Sequence, residues 1–149
     1  WIGISFKNST VLHRVKHSVT LRNFLKMEIN HITHEILDSA YKVHSALGPG
    51  LLESAYQACL VYELRKKGLK VEVEKPLSLV YEEVKLDCGY RIDILVENQV
   101  VVELKTVEAF TDVHTAQVLT YLKLSGNRVG LLLNFYTKSL KDGVKRLIL

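Results

Sequence analysis

Asp93, Glu103 and Lys105 are charged residues set inside an otherwise apolar stretch, Tyr90 to Thr106 (Tyr-Arg-Ile-Asp-Ile-Leu-Val-Glu-Asn-Gln-Val-Val-Val-Glu-Leu-Lys-Thr). A charge placed among buried residues is costly unless it is paired or holds a metal, so these three need a reason. Ile92–Val96 and Val100–Leu104 read as two strands, with Glu97, Asn98 and Gln99 between them. Strand side chains alternate faces, so Glu103 and Lys105 share one face and Leu104 takes the other. Asp93 joins them only if it pairs opposite Glu103, which requires a three-residue connection at 97–99 or a bulge. A two-residue turn at Asn98-Gln99 would place it opposite Leu104, on the wrong face. Two converging carboxylates form a hard-oxygen site suited to Mg²⁺ or Mn²⁺, and a lysine beside them can hold a phosphate or an attacking water.

Elements must then be found to position this group. Asn30 to Leu47 predicts a helix, because Ile32, Ile36, Ala40, Val43 and Leu47 form a helical stripe. His31, His34 and His44 on it read as solvated or hydrogen-bonded. Gly48-Pro49-Gly50 breaks the chain, and a second helix is predicted from about Leu51 to Lys67, closed by Gly68. Lys70 to Tyr81 reads as a half-exposed strand, with Pro76 marking an edge or a bulge. Val84 to Val96 is a second strand, bent at Cys88-Gly89, and Arg91 is expected on the Asp93 face. Thr111 or Asp112 caps a third helix to about Ser125, with Gly126 behind it. Gln117 and Tyr121 stack on one face of that helix, and His114 lies a turn earlier, within reach of the same mouth. Arg128 to Phe135 reads as a strand covered on both faces, and Lys138 to Leu149 as a final strand or short helix.

The pattern Asp93, nine intervening residues, Glu103-Leu104-Lys105 resembles the PD-(D/E)xK nuclease superfamily. Gly50-Leu51-Leu52-Glu53-Ser54-Ala55-Tyr56 matches the motif of the GxxExxY family, which is placed in that superfamily. Gln117-x-x-x-Tyr121 resembles the motif that follows Glu-x-Lys in RecB-type nucleases. The resemblance implies a restriction-endonuclease-like αβββαβ core: a mixed sheet with an antiparallel meander, flanked by helices. It implies catalysis by Asp93, Glu103, Lys105 and Glu53, and a metal, Mg²⁺ or Mn²⁺, held by Asp93, Glu103, the Leu104 carbonyl and Glu53. Gln117, Tyr121, Arg91 and Tyr56 would bind the substrate, a nucleic acid and by expectation DNA. The competing reading of Glu53 is a first-turn acid serving the helix dipole.

At 149 residues the chain reads as one domain, with 48% hydrophobic and 24% charged residues. The net charge of +4 misleads. Residues 1–26 hold five basic residues and no acid; the other 123 hold 15 basic and 16 acidic, a net of −1. We read 1–26 as an extension outside a nuclease-like domain at 27–149, although it also suits a transit peptide, a short edge strand or an arm. Cys59 and Cys88 read as free thiols in a reducing, cytoplasmic setting, and no apolar run reaches membrane-spanning length. The near-neutral core keeps a second reading open: a catalytically silent nuclease-fold module for protein association or homodimerisation.

Overall fold

A computed structural model describes the backbone of residues 8–149, and side chains within it other than those of residues 8–17, 22–27 and 88. The elements are α1 (Asn8–Leu47), α2 (Glu53–Lys66), β1 (Val71–Tyr81), β2 (Val84–Val96), β3 (Val100–Lys105), α3 (Asp112–Ser125), β4 (Val129–Asn134), a 3₁₀ turn (Leu140–Gly143) and β5 (Val144–Ile148). The five strands form one sheet in sequence order. β1, β2 and β3 are an antiparallel meander, β3 and β4 run parallel, and β5 returns antiparallel. This is the expected mixed α/β core of the restriction-endonuclease-like type.

α1 corrects the expectation at its start. The helix runs back to Asn8 rather than beginning at Asn30, so the edge-strand reading of 1–26 does not hold for the described part of it. Residues 8–29 contain neither glycine nor proline, and nothing in them stops a helix already nucleated downstream. The buried stripe nevertheless starts only at Ile32, while Val19 and Leu21 are exposed. Residues 1–7 lie outside the described residues.

Two apolar layers sandwich the sheet. Ile32, Ile36, Ala40 and Val43 of α1 and Tyr56, Leu60 and Leu64 of α2 pack on Ile94, Val102, Leu104, Leu131 and Leu133. On the other face Val118, Tyr121 and Leu122 of α3 cover Leu77, Ile92, Leu95, Val101 and Leu132. β4 is buried along its whole length, as its apolar run predicted. β1 is an edge strand, which tolerates Pro76. β2 carries its irregularity where expected: between Leu77↔Tyr90 and Leu79↔Leu86 it inserts extra residues around Gly89, whose φ is +72°.

Candidate active site

The β2–β3 connection decides whether the carboxylates meet. Glu97 and Asn98 both adopt left-handed φ, 52° and 54°, and the Gln99 amide closes the turn on the Val96 carbonyl. Two successive left-handed residues characterise the turns whose twist suits a hairpin. Gln99 adds one residue, and the ladder then pairs Val96↔Val100, Leu95↔Val101 and Ile94↔Val102. The connection is therefore the three-residue one, and Asp93 comes next in register to Glu103. The ladder stops at Ile94↔Val102, so the two acids stand where β2 and β3 part. One Asp93 carboxylate oxygen occupies the fork and accepts the Leu104 amide at 2.9 Å.

A second irregularity aims Asp93. Tyr90 and Ile92 face α3, but Ile94 faces α1 and α2, although residues two apart in a strand should share a face. β1 does the same between Val71 and Leu77. The register is unbroken across this point, Val73↔Ile94 and Lys75↔Ile92, so no residue is inserted. The swap is centred on Glu74, which adopts φ +51° and stands in register with Asp93. A left-handed non-glycine inside a strand costs on the order of 1–3 kcal/mol and persists only where its surroundings enforce it. Here Gln57 of α2 binds both sides, donating to Glu74 Oε1 at 2.8 Å and to the Asp93 carbonyl at 3.0 Å.

Glu103 is almost fully buried (3% exposed). Its Oε1 pairs with Lys105 Nζ at 3.3 Å, while its Oε2 is buried without a hydrogen-bond partner. Burial, then the Asp93 charge, raise its carboxyl to about 8; Lys105 opposes them. Asp93 is pushed up by burial as well, against the Leu104 amide, and further by the charge of Glu74. Glu53, the first residue of α2, is raised by burial and by Asp93, with Lys105 and the Thr106 backbone opposing. Glu53, Asp93, Glu103 and Lys105 thus feel one another, as the sequence suggested. Glu74 joins them and escaped the sequence reading.

Among the described residues no three His, Cys, Asp or Glu side chains stand ready grouped around an ion. The donor set nonetheless suits a divalent cation. It offers an orphaned buried oxygen on Glu103 and three carboxyls, Glu53, Asp93 and Glu103, whose charged forms are disfavoured by burial and by neighbouring acids, Glu74 in the case of Asp93.

The remaining site candidates divide. Gln117 Nε2 donates to the Tyr121 hydroxyl at 2.9 Å. Burial raises the Tyr121 phenol, and both Glu103 and Asp93 add to that, so this pair borders the carboxylates. Arg91 does not join it. Tyr90 and Ile92 face α3, so Arg91 between them is turned to the other face and is exposed. Tyr56 is fully buried, stacked on Phe135 with centroids 4.6 Å apart. Its hydroxyl donates to the Gly48 carbonyl and accepts the Leu51 amide at 3.1 Å, so it braces the loop before Glu53 and offers no face to a substrate. His114 is likewise engaged: its Nδ1 accepts the Thr111 amide in the capping box of α3. His44 is buried and contacts the Thr137 carbonyl at 2.8 Å, whereas His31 and His34 are exposed.

Asn134 was missed. Buried at the end of β4 beside Lys105, it receives the Val107 and Tyr136 amides on Oδ1 and donates to the Val107 carbonyl at 2.7 Å. It ties the loop leaving Lys105 to the loop leaving β4. A polar residue closing an apolar run was its one trace in the sequence. A family model described as the PD-(D/E)XK nuclease superfamily matches residues 30–147. Neither the curated proteins nor the solved structures include a match to the chain.

Proposed function

The chain belongs to the PD-(D/E)XK nuclease superfamily, and on that premise we propose that it is a divalent-metal-dependent nuclease hydrolysing phosphodiester bonds, with DNA as the expected substrate. The observation that carries this reading is the fork between β2 and β3. There Asp93 is held by the Leu104 amide, opposite a Glu103 whose buried Oε2 has no partner.

Asp93, Glu103, Glu53 and the Leu104 carbonyl would hold the ion, Mg²⁺ or Mn²⁺. When bound, it would supply Lewis acidity and neutralise charge on the scissile phosphate. Lys105, kept at the site by Glu103, offsets charge developing in the transition state or orients the attacking water. Gln117 and Tyr121 form the neighbouring wall and contact the substrate, as the RecB-like motif implies. The GxxExxY assignment fits the roles found for its residues: Glu53 at the site and Tyr56 bracing the loop that delivers it. We take 27–149 as the nuclease domain, with 1–26 an extension to it.

The decisive experiment incubates the protein with labelled single- and double-stranded DNA and RNA, with and without Mn²⁺, beside Lys105→Ala. Metal-dependent cleavage lost in Lys105→Ala supports the reading. No cleavage of any substrate, with no thermal shift from Mn²⁺, rejects it.

One observation favours a second reading, a catalytically silent module for protein association or dimerisation. The end of the β1–β2 hairpin exposes Val80, Tyr81, Val84 and Leu86, a run of apolar side chains that no element covers among the described residues. A concentration-dependent mass in sedimentation, abolished by Tyr81→Glu, would support it.

A further inference from the structure

Beside the carboxylate site lies an open cleft of about 570 Å³. Pro49 and Gly50 form one wall, Tyr136 and Lys138 another, and Glu108 and Asp142 border it. None of the proposed metal ligands lines it, yet it adjoins them through the chain. Gly50 precedes Glu53 by three residues, within about 11 Å, and Glu108 follows Thr106 by two, within about 7 Å. The Glu53 carboxyl in turn feels the Thr106 backbone.

Both walls are pinned from beneath by the same aromatic stack. Tyr56 holds Gly48 and Leu51 on one side, and its partner Phe135 precedes Tyr136 on the other. The Tyr136 amide is bound by Asn134 Oδ1, the Thr137 carbonyl meets His44, and the Thr137 hydroxyl donates to the Asn134 carbonyl at 3.0 Å. Gly143 lets the following turn close on this loop: a Cβ there would lie 2.4 Å from the Asn134 carbonyl oxygen. On so constrained a backbone Tyr136 is nonetheless 48% exposed. A rigidly presented aromatic beside a lysine is the combination that stacks an unpaired base and meets its phosphate.

We propose that this cleft seats an unpaired base of a single-stranded nucleic acid, stacked on Tyr136 with its phosphate at Lys138, next to the scissile position. The carboxylates of Glu108 and Asp142 accept hydrogen bonds from exocyclic amino groups, so cytosine is held better than thymine or uracil. This substrate class rests on the nuclease reading of the adjoining site, but the two can fail separately.

The test measures binding of dye-labelled single-stranded DNA, single-stranded RNA and blunt duplex DNA to the full chain in EDTA, where no cleavage is expected. It compares wild type, Tyr136→Ala, Tyr136→Phe and Lys138→Ala, with thermal melts to verify folding. Tyr136→Ala is expected to weaken single-strand binding roughly tenfold, and Tyr136→Phe to restore it. Lys138→Ala lowers the salt dependence by about one counterion. The two single-strand arms decide between DNA and RNA. Unchanged affinity in Tyr136→Ala, or duplex bound as tightly as single strand, overturns the cleft assignment even if the protein cleaves DNA with Mn²⁺. Tyr136-dependent binding in EDTA, together with no cleavage of any of these substrates in Mn²⁺, upholds the cleft and removes the nuclease.

Discussion

The Leu104 amide donates to the Asp93 carboxylate at 2.9 Å, across the point where β2 and β3 separate. The bond places one acid from β2 against the strand that carries Glu103 and Lys105. It also leaves the second Asp93 oxygen for another partner. Asp93→Asn keeps the shape and the acceptor oxygen but removes the charge. It should melt within a few degrees of wild type while losing at least roughly a hundredfold in metal-dependent cleavage. An Asp93→Asn protein that still cleaved with Mg²⁺ would falsify its assignment as a ligand.

Glu103 ties stability to pH. Its carboxyl holds a proton up to about 8 in the folded chain, against an ordinary value of 4.5. The folded state therefore binds more protons than the unfolded state between these values. The contribution of Glu103 is most favourable below about 4.5, declines as pH rises to about 8, and is level above it. Glu103→Gln cannot ionise, so it should be the more stable protein at pH 8.5 in EDTA, by roughly 5 °C, and close to wild type at pH 5. Equal melting differences at both pH values would show that the carboxyl titrates normally.

An ion at the site competes with that proton. Mn²⁺ binding near pH 7 should release close to one proton, visible as a dependence of the calorimetric heat on the buffer's ionisation enthalpy. The release should fall away above about pH 8, where Glu103 is already charged. Apparent affinity should rise with pH across the same interval. Heats independent of buffer at pH 7 would place the ion elsewhere.

Tyr56 is a positioning residue. Tyr56→Phe preserves the stack on Phe135 but strips the Gly48 carbonyl and the Leu51 amide of their partner. A lost buried hydrogen-bonding group costs about 1–3 kcal/mol, so the melting temperature should fall by several degrees. Since the loop delivers Glu53, cleavage should drop about tenfold through weaker metal affinity and recover partly at high Mn²⁺. A lower melting temperature with unaltered metal dependence would confine Tyr56 to stability.

Much of this arrangement was legible in the residues. The apolar run in β4, the strand borders of β2, the glycine closing α3 and the shared face of Glu103 and Lys105 all follow from local periodicity and turn chemistry. Such features depend on neighbours a few positions apart. The start of α1 was missed although Leu21, Leu25 and Ile29 carry the stripe of Ile32 and Ile36 back along the sequence; Val19 and Leu21 are exposed, so this part of the helix lies beyond the core.

Sequence alone determined which acids and which lysine were available, and it narrowed the hairpin to two registers. Only the tertiary structure chose between them: Glu97 and Asn98 turn left-handed, Val96 pairs with Val100, and Ile94, Val96 and Val102 then lie together beneath α1 and α2. Glu74, Asn134 and the Tyr56 hydroxyl have partners that were likewise beyond the sequence, although the i, i+4, i+8 spacing of Tyr56, Leu60 and Leu64 already set that ring on the apolar side of α2. Their roles are set by contacts with Gln57, Val107 and Gly48, made across the fold or around a turn. Residue spacing records which face a strand residue takes, but not that two strands exchange faces together at Glu74 and Asp93 under the hold of a helix packed above them.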